Sequence, residues 1–172
     1  EAHPAERLLQ HLIISLHGDR VEATVAIGGG FLATTDLANA IDRDGDQAFS
    51  ELEARHWLEQ YLGQITVTRD GQAIPLDVTA VRLEMPAFNH FALALSPILV
   101  TITIPGDGPQ SALPLSFTTI YRSDLSDLRV DVADGSTDVV AHDHDDAFVE
   151  VDDGSGVLVD PQTVVMLCDR EG

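Results

Sequence analysis

Asp42, Asp44 and Asp46 stand at alternate positions in the stretch DRDGDQAFSELE, and Glu53 closes the twelve. Carboxylates crowded onto one short loop repel each other, and a hard cation relieves that repulsion. Numbered from Asp42, the stretch offers carboxylates at 1, 3 and 5, the backbone carbonyl of Ala48 at 7, Ser50 acting through a water at 9, and both oxygens of Glu53 at 12. This donor set suits Ca²⁺, which takes about 6–8 oxygens at about 2.4 Å. Mg²⁺ demands a smaller octahedral shell, which has less use for both oxygens of one Glu. The expected metal ligands are therefore Asp42, Asp44, Asp46, Ala48, Ser50 and Glu53, and the expected ion is Ca²⁺.

Elements on both sides must hold such a loop. Before it, FLATTDLANAI places Leu37, Ala40 and Ile41 at helical spacing, with Thr34 or Thr35 as N-cap. After it, ELEARHWLEQYLG places Ala54, Trp57, Leu58, Tyr61 and Leu62 at i, i+3, i+4, i+7 and i+8, with Gly63 as the stop. Helix, twelve-residue loop and helix together resemble the EF-hand calcium-binding loop. Phe49, at position 8, is expected to tie the loop to the core. Gln47 departs from the pattern, because position 6 of such loops is a Gly taking a sharp turn. A non-Gly residue there costs about 1 kcal/mol and should weaken binding. The motif occurs once. DHDDAFVEVDD is acidic but lacks the spacing and the helices.

The rest of the chain reads as strands. Leu9 to Leu16 and Val21 to Ile27 form a hairpin pattern around HGDR, and GGG at 28–30 ends it. QITVTRDGQAIPLDV is a second hairpin around Asp70-Gly71. VRLEMPAF, HFALALSPILVTITI, LPLSFTTIY, LRVDV, TDVVAH, AFVEVDDGSGVLVD and QTVVML follow at strand length, separated by Gly, Pro, Asp and Ser turns. The expected fold is mainly β (α+β): an antiparallel β-sandwich with an inserted helix-loop-helix EF-hand at about 31–63, in a single domain spanning 1–172.

Composition narrows the partners. The 172 residues carry 29 acidic side chains against nine Arg and no Lys, a net charge of −20. Nucleic acid and anionic membrane surfaces need basic patches, so neither is expected as a partner. The same bias suits cations or a salty exterior, and it also follows from a GC-rich or halophilic genome. A hydrophobic share of 44% makes this a folding sequence rather than an acidic tail. Cys168 is the single cysteine, so no intrachain disulfide forms. No apolar run is long enough to cross a membrane as a helix. The opening EAHPAE fits the new end left by a signal-peptidase cut.

Other chemistry is thinner. His142, Asp143 and His144 could ligate Ni²⁺, Co²⁺ or Zn²⁺, but the favoured reading of the stretch is an exposed acidic turn between TDVV and AFVEV. His3 could join them at a free N-terminus. His11 and His90 lie in apolar runs and are expected as core or edge histidines. His56 and Trp57 are expected to pack, as is Cys168. Neither a G-x-S-x-G elbow nor a phosphate loop occurs, so an enzyme is not expected.

A wider resemblance covers most of the chain. The AHP start, the hairpin, the helix–loop–helix, the RDGQAIPL hairpin and the late DDAFVEVDDGSGVLVDP strands resemble the extracytoplasmic N-terminal region of bacterial membrane proteins of the HupE/UreJ-like type and related nickel/cobalt transporters. That resemblance implies a periplasmic or extracellular domain attached to transmembrane segments beyond this chain. Three readings follow: a calcium-binding module with a structural or sensory ion, a transition-metal collector for an attached transporter, and a secreted enzyme with structural Ca²⁺.

Overall fold

The structure, a computed structural model, describes residues 4–17, 20–69, 72–105, 115–119, 121–122, 126–132, 147–150, 156–159 and 163–167. The first hairpin forms as expected, from β1 (Leu8–His17) and β2 (Arg20–Gly29), with Leu12 opposite Val25 and Gln10 opposite Ile27. Residues two apart share a face of a strand. Leu8 and Leu12 of β1 and Ala23, Val25 and Ile27 of β2 accordingly point into the core. The strand β6 (Ile98–Pro105) lies on the other side of β2 and adds Ile98, Val100, Ile102 and Ile104 to that face.

The sheet is completed by β5 (Val81–Glu84) at one edge and β8 (Ser126–Val132) at the other, in the order β5-β6-β2-β1-β8. It is mixed, which corrects the antiparallel expectation. β8 runs parallel to β1, Leu8 opposite Ser126 through Ile14 opposite Val132. The chain reaches β8 only after passing through β7 (Leu115–Thr119), and so enters beside β1 in β1's own direction instead of by a hairpin. The second sheet contains the expected hairpin of β3 (Ile65–Arg69) and β4 (Gln72–Ile74), closed with Arg69 opposite Gln72. β7 pairs with β3, and β9 (Ala147–Glu150), β10 (Gly156–Val159) and β11 (Thr163–Leu167) extend the sheet as β4-β3-β7-β11-β10-β9.

The architecture is mixed α+β. α1 (Phe31–Ile41) and α2 (Glu51–Leu62) fall where the periodicity places them. Leu37, Ala38 and Ile41 of α1 and Trp57, Leu58, Tyr61 and Leu62 of α2 join the sheet residues, Ile65, Val67 and Phe117 in one hydrophobic core. Two details differ from the expectation. The N-cap of α1 is Gly30, and Thr34 and Thr35 lie inside the helix with their hydroxyls donated to the carbonyl of Ala92, at 3.1 and 2.8 Å. The run HFALALS is not strand: Phe88–Ala92 is a short helix, α3, packed on α1. An X-Pro pair, Met85-Pro86, ends β5 just before it, where the proline removes a ladder N–H. Gly30 has no freedom for a side chain, since a Cβ there would meet the Ala5 backbone at 2.3 Å. None of the helices formed by the described residues is long and apolar enough to cross a membrane.

Candidate metal centre

The loop between α1 and α2 is built on its own carboxylates. Asp42 is only 7% exposed, because it is also the C-cap of α1 and its N–H is held by the Ala38 carbonyl at 3.0 Å. Its Oδ1 accepts the N–H of Gly45 at 2.8 Å and its Oδ2 accepts the N–H of Gln47 at 2.9 Å. Asp44 Oδ1 accepts from Asp46 N at 3.1 Å, and Asp46 Oδ1 accepts from Ala48 N at 2.9 Å. These side-chain-to-backbone bonds curl the loop into successive Asx turns. They bring one oxygen each of Asp42, Asp44 and Asp46 within 4.8 Å of one another, a group able to hold a metal ion.

Gln47 adopts the turn that its position requires. Its φ is +61°, in the left-handed region, and its N–H is the one held by Asp42. An L side chain in that region costs about 1 kcal/mol. Gln47→Gly should remove that cost. The expected result in a calorimetric titration is Ca²⁺ binding tighter by up to about fivefold.

Glu53 starts α2 and closes the loop. Its N–H is accepted by Ser50 Oγ at 3.2 Å, and its Oε2 accepts the Ser50 N–H at 3.0 Å and the Ser50 hydroxyl at 2.7 Å, which is a capping box. Its Oε1 accepts the N–H of Arg43 at 2.6 Å and of Asp44 at 3.4 Å. The side chain is 7% exposed. The structure therefore joins Asp42, Asp44 and Asp46 in one cluster and holds Glu53 beside it, against the loop backbone. Ala48 and Ser50 sit in the same loop, both exposed.

Electrostatics separates these acids. The Ser50 hydroxyl and N–H, then the Arg43 N–H, stabilise the Glu53 carboxylate and lower its pKa to about 2. The Asp46 N–H pulls Asp44 down too, but desolvation, the charges of Asp46 and Glu53 and a hydrogen bond shared with the Asp42 side chain outweigh it and leave Asp44 raised. Glu53 has a depressed folded-state pKa, so its stabilising effect is full above the unfolded value of about 4.5 and is lost as pH falls toward about 2. Circular dichroism of the metal-free protein should show the α2 end loosening in that window. In Glu53→Gln the loss should be absent.

Phe49 anchors the loop as expected. Its ring packs on Phe88 at 5.4 Å and on Phe91 at 6.3 Å, both from α3. That partner was not legible beforehand, because the α3 run reads as strand. His56 was expected only to pack; it bonds the Arg43 guanidinium across the loop and Gln60 at 3.1 Å. With Arg43, Asp44, Ser50, Leu52 and Glu53 it lines an open cleft of about 390 Å³ beside the carboxylates. No sequence signal joins Arg43 to His56, thirteen residues apart.

His11 and His90 lie in separate elements. His90 is exposed on α3 and not in a core strand, because that run is helical. His11 is half-buried within β1. Trp57 packs as expected, buried with its indole N–H donated to Tyr121 Oη at 3.1 Å. His3, His142, Asp143, His144 and Cys168 lie outside the described residues. Comparison with protein-family models, curated proteins and solved structures found no match to this chain.

Proposed function

We propose that this chain is a calcium-binding module, in which one Ca²⁺ is held by Asp42, Asp44 and Asp46, the carbonyl of Ala48, Ser50 through a water, and Glu53. The observation that carries it is the convergence of three carboxylates within 4.8 Å on a loop whose sixth residue already holds a positive φ. Hard, anionic oxygen donors are the set that Ca²⁺ prefers. Glu53 completes it. Its four accepted hydrogen bonds use the carboxylate's lone pairs, so ligation through both oxygens exchanges bonds at Oε1, from the Arg43 and Asp44 N–H groups, and at Oε2, from Ser50, for the cation. The ion supplies charge neutralisation and fixes the relative position of α1 and α2.

The reading extends to the architecture and the setting. The two sheets form a β-sandwich with the loop and its helices as an insert, and the module belongs to the extracytoplasmic face of a bacterial membrane protein, with Ca²⁺ structural or sensory. Support for the setting is the acidity of the chain and the resemblance described above; support for the ion is the loop. Calorimetric titration of metal-free protein tests the ion. Heat saturating at one Ca²⁺ per chain in the micromolar to millimolar range is expected. Absence of heat at millimolar Ca²⁺, or equal affinity for Mg²⁺, rejects the proposal.

A further inference from the structure

The short helix α3 cannot stand by itself. It has five residues and no side-chain N-cap, and isolated helices shorter than about 12–15 residues are marginal in water. The turn after it is strained, with Ala94 at φ +58°, in the left-handed region. Contacts from outside therefore decide its state. Phe91 enters the shared core, and two further fastenings come from the helix–loop–helix. The Thr34 and Thr35 hydroxyls of α1 donate to the Ala92 carbonyl at 3.1 and 2.8 Å. The Phe49 ring packs on Phe88 at 5.4 Å and on Phe91 at 6.3 Å. Both fastenings lead to proposed calcium ligands. Phe49 stands between Ala48 and Ser50, positions 7 and 9 of the loop, so ligation through those residues fixes its backbone on both sides. α1 ends on Asp42, its C-cap and position 1 of the loop.

We infer that α3 is the element on which the calcium loop acts: an ion in the loop holds Phe49 against Phe88 and Phe91, and so holds α3 folded. This rests on the calcium reading above and gives the ion a regulatory output. With the ion bound, the loop is a rigid seat for the Phe49 ring. Without it, the carboxylates of Asp42, Asp44 and Asp46, which converge within 4.8 Å, repel one another and loosen that seat. A one-turn helix with a strained exit then opens more often. The coupling is reciprocal, so α3 raises the affinity for Ca²⁺ by the same factor by which Ca²⁺ protects α3. Couplings between sites run from about 5-fold to about 150-fold. Two aromatic contacts place this one near the low end, at about tenfold.

Amide hydrogen exchange of the full chain, with and without millimolar Ca²⁺, tests this. The reporters are the Phe91 and Leu93 N–H groups, donated to the Ala87 and Asn89 carbonyls at 3.0 and 3.1 Å. Their exchange should slow by about tenfold on adding Ca²⁺. Phe49→Ala, which removes a half-buried ring and no ligand atom, should still give calcium heat in a calorimetric titration. Its reporters should slow by less than about threefold, whatever slowing the ion causes at Leu12 and Val25 by raising overall stability. Phe88→Ala lies outside the loop and should nonetheless weaken Ca²⁺ binding by about fivefold. With calcium heat present, three results overturn the coupling and leave the calcium reading standing. They are slowing under about threefold in the unaltered protein, slowing above about threefold in Phe49→Ala, and a Phe88→Ala affinity within about twofold of the unaltered protein. No calcium heat from the unaltered protein removes both.

Discussion

Asp42→Ala is expected to weaken Ca²⁺ binding by about 100-fold or more. The side chain does two jobs. It is the first ligand of the proposed set, and its two oxygens template the loop by accepting the N–H groups of Gly45 and Gln47. Hydrogen bonds to a charged group are worth about 1.5–3 kcal/mol each, and about 1.4 kcal/mol is tenfold in affinity. Losing the ligand together with the template leaves Gln47 in a strained turn with nothing to hold it. Asp42→Asn separates the two jobs. Its carbonyl oxygen can keep the Gly45 bond, while its amide faces the Gln47 N–H as a second donor. Asn should therefore bind Ca²⁺ between wild type and Ala. Titration calorimetry of all three decides it. An Asp42→Ala affinity within threefold of wild type would remove Asp42 from the site.

Tyr61→Ala is expected to cost about 3–5 kcal/mol of stability, a large share of the roughly 5–15 kcal/mol that holds an ordinary domain folded. Tyr61 is 0% exposed and lies at the far end of α2 from the loop. It stacks on Trp57 at 5.1 Å and meets Tyr121 edge-on at 4.9 Å. Its hydroxyl donates to Gln10 Oε1 at 3.3 Å, and Thr119 Oγ1 donates to the same oxygen at 3.3 Å. The Gln10 amide in turn donates to the Tyr121 carbonyl and to Ser126 Oγ, both at 3.0 Å. One buried cluster thus joins α2 to β1, β7 and β8. Burial pushes the pKa of Tyr61 far up, so its hydroxyl stays a neutral donor. Tyr61→Phe isolates that hydroxyl. It should cost only about 1 kcal/mol, because Thr119 still satisfies Gln10 Oε1. Urea unfolding of both variants measures the difference. Similar losses for Phe and Ala would show that the hydroxyl, and not the ring, carries the cluster.

The buried face of α2 was legible in the sequence. Ala54, Trp57, Leu58 and Tyr61 announced a buried helical stripe, because 3.6 residues per turn puts i, i+3, i+4 and i+7 on one side whatever lies opposite. The Asp-rich loop was legible for the same reason: its side chains bond to backbone groups two to five residues away, so spacing alone sets its shape. Hairpins closed by short turns, β1 with β2 and β3 with β4, were likewise local.

What lay opposite was not local. HFALAL carries apolar residues that suit a strand or a short helix equally, and contact with α1 and Phe49 settled it as helix α3. The parallel pairing of β1 with β8 spans more than a hundred residues and has no turn to announce it. Gln10 alternates correctly for a core position, yet as a polar residue it hid its burial; its partners come from α2, β7 and β8. The sequence by itself determined the helix–loop–helix and its carboxylates, since those interactions close within a few residues. Only the tertiary structure decided what Phe49 packs against, that β8 lies beside β1, and which elements Gln10 joins, because each depends on segments that burial of a shared core brings together.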